Sequence, residues 1–291
     1  MSVLDEQPVL GSGPAMDEKH LVYVKPRRFG VWISGAVLAI VIGQALFTVV
    51  RAPALDWPTV GKYILDPRIL AGVGNTLILT VAAITIAIVI GVLLAVMRNS
   101  ANPVFRIASA LYVAMFRSIP LLVLILLVYF LAILVPRIGL GLPFLDPWVS
   151  VDTNDVISPM SAAILALGLG QAAYTCEIIR GGIFAVDRGQ REAAMTLGMR
   201  PAMVFFRIVM PQAMRVVVPG LGNEAIGMLK ATSLVQVIGF TELLTTAQRI
   251  YGQNYETIPL LAVVTIWYAV LTTIGTVGQT QLEKKFGKGF A

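Results

Sequence analysis

The sequence predicts an all-α, polytopic membrane protein, and three observations carry that prediction. Its 291 residues are 57% hydrophobic and 13% charged, with a mean hydropathy of +0.82, far from the balance of a soluble domain. Its apolar runs match the ~20 residues that a helix needs to cross a bilayer's hydrocarbon. Lysine and arginine are divided unequally between alternate connections, as the positive-inside rule expects of a multi-pass chain.

Taken in order, residues 1–30 are mixed and polar and read as a tail. Six spans follow, at about 31–50, 70–97, 107–135, 158–178, 214–240 and 258–280. The first is trailed by Arg51-Ala52-Pro53-Ala54, which loosely resembles a cleavage site. Its 30-residue lead and 20-residue apolar run exceed the dimensions of a signal peptide, so a retained helix is expected. In the third span Arg117 lies ten residues in, close to mid-membrane, and Pro120 predicts a kink. The connection 136–157, rich in Gly, Pro and Asp, predicts a short surface helix or turn and nothing larger. The fifth span holds Pro219, Gly220, Gly222, Asn223, Glu224 and Lys230. An interrupted helix of this kind is tolerated where it lines a cavity or packs in protein.

With the N-terminus in the cytoplasm, fifteen of the 22 Lys and Arg fall in cytoplasmic segments. Five fall outside: Arg51, Lys62, Arg68, Arg137 and Arg249. Both termini and the loop 179–213 are then cytoplasmic. The net charge of +6 is scattered among loops, which argues against a nucleic-acid partner and leaves the lipid bilayer as the surrounding phase. The single cysteine, Cys176, reads as a packed hydrophobe, and one histidine, His20, excludes a multi-histidine metal site. There is no G-x-x-x-x-G-K-[ST] phosphate loop, no HExxH helix and no GxSxG elbow. The chain therefore predicts no catalytic residue, and a nucleotide, if used, must bind elsewhere. No internal repeat stands out, which weighs against an inverted-repeat secondary transporter.

The stretch GQREAAMTLGMRPAMVFFRIVMP, residues 189–211, interrupts this apolar chain with charge. It predicts two short helices. The first, about 189–197, ends at Gly198, which tolerates a left-handed backbone. The second, 201–209, opens with Pro201 and is stopped by Pro211. Small Ala193 and Ala194 permit close approach of a partner's groove, and a helix resting on lipid headgroups is the alternative.

Spacing decides between them. Glu192-Ala193-Ala194, three residues, Gly198, nine residues, then Ile208-Val209-Met210-Pro211 resembles the EAA loop of ABC-transporter permeases, with Met210 in place of the usual leucine. AYTCEIIRGGIFAVDRGQREAA at 173–194, GNTLILT at 74–80, FRSIPLLV at 116–123, VPGLGN at 218–223 and KATSLVQVIG at 230–239 resemble the polar amino acid uptake branch, the histidine, glutamine and arginine type. The resemblance covers about 70–285, a five-helix permease core to which 31–50 adds one helix.

The resemblance implies a permease subunit of an ATP-driven importer in a bacterial inner membrane. It is not itself an ATPase. ATP and Mg would sit in cytoplasmic ATP-binding subunits that dock on the loop, a second permease subunit, identical or different, would complete the pathway, and a periplasmic solute-binding protein would deliver a polar amino acid. Glu192, Ala193, Ala194, Gly198, Ile208 and Pro211 are the positions it marks for coupling.

Charge at membrane depth points to the pathway. Arg117, Asn223, Glu224, Lys230, Thr232 and Ser233 are its candidate residues: Lys230, Thr232 and Ser233 offer donors to a carboxylate, and Glu224 offers an acceptor to an ammonium. The alternative is an internal ion pair such as Arg117 with Glu224. Glu177 and Arg180, three apart, can meet as a gating or structural pair. Ala231 stands where the resembled branch usually has aspartate, which argues against a cationic solute. An ion-gradient-driven amino acid transporter is the competing function.

Overall fold

The computed structural model describes residues 29–141 and 147–286. The expected N-terminal tail therefore lies almost wholly outside the described residues. The chain divides into two compact units, 1–52 and 53–291. The described part of the first is 29–52, almost all of it α1, Phe29–Val50, apolar on all sides. Its polar Ser34 and Thr48 turn their hydroxyls onto the carbonyls of Val31 and Gln44 of the same helix, as a lipid setting demands.

The second unit is a helical bundle. Short α2 (Trp57–Tyr63) leads into α3 (Pro67–Arg98), then α4 (Pro103–Ser118), α5 (Leu121–Tyr129) and a single turn, α6 (Leu131–Leu134). An antiparallel hairpin, β1 (Arg137–Leu140) with β2 (Val149–Asp152), pairs Arg137 with Asp152 and Leu140 with Val149. One-turn α7 (Thr153–Val156) precedes α8 (Pro159–Phe184). Then come α9 (Arg188–Thr196), α10 (Pro201–Val204), a π turn at Phe205–Val209, α11 (Met210–Ala231), a 3₁₀ turn at Thr232–Ile238, α12 (Leu243–Asn254) and α13 (Thr257–Phe286).

Five helical segments are long and apolar enough to cross a membrane: 30–50, 67–98, 159–184, 201–238 and 257–285. The expected third span is instead a broken pair, α4 and α5, bent by 104°. The residue before a proline is driven out of the helical region, and Ile119 is extended, with φ −88° and ψ 125°. The break is thus sharper than a kink, and Arg117 ends up in the last turn of α4. The connection 136–157 holds the expected short helix, α7, and in addition its ends pair as a hairpin, sealed by Thr153 donating to the Val135 carbonyl.

The core is built by α3 and α8 packing against each other. Gly168 and Gly91 make that possible. A β-carbon on Gly168 would lie 2.7 Å from Ile86, and one on Gly91 2.5 Å from Thr175. Small residues at such crossings let helix backbones close up where hydrophobic drive is weak. Leu79, Ala83, Ile125, Ala163, Ala166 and Leu167 are fully buried there. A second cluster, around Ile69, Leu243, Leu260 and Val263, joins α3, α12 and α13 near the start of α3. Cys176 is buried and unpaired, as expected of a packed hydrophobe.

Candidate functional site

The site around residues 187–213 starts from local chain chemistry. Asp187 caps α9 by accepting from Gln190 N at 3.2 Å. At the other end Gly198 has φ +78°. Its N–H bonds the Met195 carbonyl at 2.9 Å, and the N–H of Met199 reaches back to Ala194 at 3.2 Å. This is a complete Schellman closure. Met199 also packs against the apolar cluster that contains Ala194, as the apolar contact of such a cap requires. Arg200, before Pro201, is extended, and Pro201 opens α10.

Pro211 does not stop the second helix, contrary to expectation. α10, the π turn and α11 run on as one span, 201–238. Pro211 lies in the first turn of α11, immediately after the π turn. The wider i to i+5 ladder there accommodates a residue with no N–H to give. Ile208 is half-buried in that turn and Pro211 is exposed.

The two alanines point different ways. Ala194 is 3% exposed and packs with Val186, Val204, Val209 and Ala213. Glu192, Ala193 and Gly198 are exposed. So are two residues that sequence reasoning passed over, Leu197 at 82% and Met195 at 51%. An apolar side chain that stands out of a charged helix was the signal.

The helix is clamped from below. Gln212 donates to Gln190 Oε1 at 2.6 Å and to Ile208 O at 2.9 Å. Arg191 donates to the Ile183 carbonyl and, at 3.4 Å, to that of Val186, covering the end of α8. α8 and α11 approach so closely that a β-carbon on Gly182 would lie 2.4 Å from Val217. α9 is therefore fastened to α8 and α11 at once.

The polar residues of α11 form a second group. Glu224 accepts from Gln171 Nε2 of α8. Asn223 Oδ1 accepts from Gln279 Nε2 at 3.0 Å, and Gln279 also bonds Glu283 at 2.8 Å. Arg117 lies over the Tyr174 ring, 5.4 Å from its centroid. The Arg117–Glu224 pair is not formed, because Glu224 is turned to Gln171. Thr232 and Ser233 direct their hydroxyl protons to the carbonyls of Leu229 and Lys230, at 2.6 and 2.8 Å. Lys230 is exposed, and among the described residues neither it nor Arg117 has an ion-pair partner. Glu177 and Arg180 do meet, at 3.8 Å.

Residues 87–288 match the family described as the inner membrane component of binding-protein-dependent transport systems. The arginine transport system permease protein ArgU of Corynebacterium glutamicum is 37% identical over 282 residues, 96% of this chain and 87% of its own. The nopaline transport system permease protein NocM of Agrobacterium fabrum is 38% identical over 72% of this chain and 83% of its own. A crystal structure of an amino acid ABC transporter chain superposes with a TM-score of 0.68, at 33% identity, covering 79% of this chain and 99% of that one. A methionine ABC transporter, MetNI, in an inward-facing form shares the fold at a TM-score of 0.59 and 20% identity, covering 76% of this chain and 97% of that one. The bundle, the docked helix and these likenesses agree: the chain belongs to the binding-protein-dependent inner membrane component family, as a permease subunit of an ABC importer and not an enzyme.

Proposed function

We propose that this permease carries a polar amino acid and is driven through α9. ATP and Mg act in separate cytoplasmic subunits, which grip the exposed Glu192, Ala193, Met195 and Leu197. The observation that carries the reading is the position of α9, apolar and exposed on one side and locked to α8 and α11 through Gln190, Arg191 and Ala194 on the other. Closure of the ATPase pair then shifts both helices together and biases a two-state bundle. Residues 70–285 carry transport, and 31–50 adds a helix. Both termini and 179–213 face the cytoplasm of a bacterial cell, on the charge asymmetry of the connections.

The solute class rests on the relatives named for arginine and nopaline and on the acceptor and donor groups of α11. A solute-binding protein delivers it at the outer face. The unpaired Lys230 and Arg117 are met by the solute or by a second permease subunit, identical or different. Ala231, with no carboxylate, leaves Glu224 and Asn223 as the acceptors available to an ammonium.

The coupling test uses the permease reconstituted with its ATPase and binding protein. Gly198→Ala forces a β-carbon into a left-handed backbone, a strain of about 1–2 kcal/mol, with open space around it, so strain is the whole perturbation. Solute-stimulated ATP hydrolysis and uptake should both fall about tenfold in Gly198→Ala and in Glu192→Ala. Unchanged uptake in both variants removes α9 as the lever. Thermal-shift screening of the binding protein tests the solute: a sugar or a metal as its only stabilising ligand ends the amino acid reading.

A further inference from the structure

Where α3 gives way to α4, three guanidinium groups meet at one shallow cleft. Arg98 ends α3, Arg106 lies in the first turn of α4, and Arg180 lies near the end of α8, with Ile107 and Ala110 completing the lining. Within the described residues only one of the three charges has a carboxylate near it. Arg180 has Glu177 at 3.8 Å, beyond hydrogen-bond length, and Arg98 and Arg106 have no ion-pair partner. Arg98 Nη1 and Arg180 Nε are buried and have no hydrogen-bond partner. Three like charges brought together from three helices, with buried N–H groups unsatisfied, call for an anion.

A second observation identifies the kind of anion. Val104, Ile107 and Leu111 of α4 are 67%, 58% and 66% exposed. Their spacing of three and four aligns them as one stripe, which begins at the cleft because Ile107 belongs to both. A cationic cradle that opens on an apolar stripe fits a headgroup and its acyl chain together. A soluble phosphate would use the cradle and leave the stripe. Guanidinium groups bind phosphate oxygens in a bidentate fork, and basic pockets between membrane helices take anionic headgroups.

We propose that Arg98, Arg106 and Arg180 bind the phosphate of an anionic phospholipid whose acyl chain lies along Val104, Ile107 and Leu111. Occupancy ties the ends of α3, α4 and α8 together, beside the segment that leads into α9.

The full-length permease in detergent is titrated with dioleoyl phosphatidylglycerol, with dioleoyl phosphatidylcholine and with inorganic phosphate, and unfolding temperature is read. Phosphatidylglycerol should raise it at ratios where phosphatidylcholine does not. Arg106→Gln, at an exposed position that folding does not need, should weaken the apparent affinity ~5-fold, the equivalent of about 1 kcal/mol for one basic side chain near an anionic surface. Arg106→Lys should recover most of that loss, and Lys62→Gln, before the opposite end of α3, should leave the titration unchanged. Equal shifts with both lipids, or an unaltered titration in Arg106→Gln, overturn the proposal. So does inorganic phosphate alone giving the full shift, which marks a soluble-anion site. Release of the lipid on adding the ATPase subunits also overturns it, because the cleft is then a protein contact.

Discussion

Glu242 and Lys230 are twelve positions apart in the sequence and opposite in setting. Glu242 has no exposed surface. It caps α12, accepting from Leu244 N at 2.8 Å, Thr245 N at 2.6 Å and Thr245 Oγ1 at 2.9 Å, while Tyr268 of α13 donates to it at 3.1 Å. Beside it, Leu243 N donates to Thr76 Oγ1 of α3 at 3.2 Å. Every strong acceptor direction of that carboxylate is met by this chain. Lys230 is exposed, and among the described residues no carboxylate pairs with it. A buried charge with all its partners at hand is architecture. An exposed cation in so apolar a chain is the one we propose meets the solute or a second subunit.

The sharpest test of that contrast is Glu242→Ala. It leaves two backbone donors and the Tyr268 hydroxyl unmatched in the interior and removes a helix cap, a loss of ~3 kcal/mol. The unfolding temperature of the purified permease should fall and its yield in membranes should drop. Lys230→Ala should do neither. It should instead reduce uptake about tenfold, the equivalent of ~1.4 kcal/mol, at unchanged unfolding temperature. If Lys230→Ala destabilises the fold and leaves uptake per folded molecule intact, the contrast collapses.

A smaller effect separates the charge of Glu242 from its shape. Glu242 lies in the connection between spans, and burial pushes its carboxyl above the ordinary value, against the lowering by its hydrogen bonds. A raised folded-state value means that the native state holds the proton more tightly than the unfolded chain. The associated stability is present in full below the unfolded value and is lost as pH rises through the folded one. Stability should therefore decline as pH rises above the ordinary carboxylate value, and Glu242→Gln, which keeps the shape without titrating, should flatten that decline. A slope unchanged in Glu242→Gln assigns the dependence to another group.

The smallest effect belongs to the surface. Arg68 bridges Asp66 at 2.9 Å just before α3, and that guanidinium holds the Asp66 carboxyl below its usual range. Arg68 is largely exposed, so Arg68→Gln should cost at most about 0.5 kcal/mol, seen as a shift of unfolding midpoint that added salt erases.

How much of this could be read beforehand varies with the reach of the signal. Gly198 and Pro201 announced the end of one helix and the start of the next, because a left-handed φ and a missing N–H are properties of the residue itself. Pro120 announced a kink for the same reason, but that it is a full break of 104° depends on how α5 packs on α8 and on the turn after α11. Pro211 misled, because a proline ends a helix only where the ladder cannot widen, and here a π turn precedes it. Glu242 went unremarked. An acidic residue ahead of the run LLTTA was a capping signal, but its burial depends on Tyr268 and Thr76, far away along the chain.

The sequence by itself determined that the chain crosses a membrane, that it has no nucleotide loop, and that residues 192–211 carry a permease family's spacing. Composition, hydropathy and spacing are properties of the string and survive any arrangement of the helices. Only the tertiary structure decided that Ala194 turns inward and Ala193 outward, that Gln190 and Arg191 fasten α9 to the bundle, that Glu242 is buried and satisfied, and that three arginines share one cleft. Those facts depend on which helix faces are brought into contact. Close packing at Gly182, Gly168 and Gly91 sets that, where a single added carbon would force the helices apart.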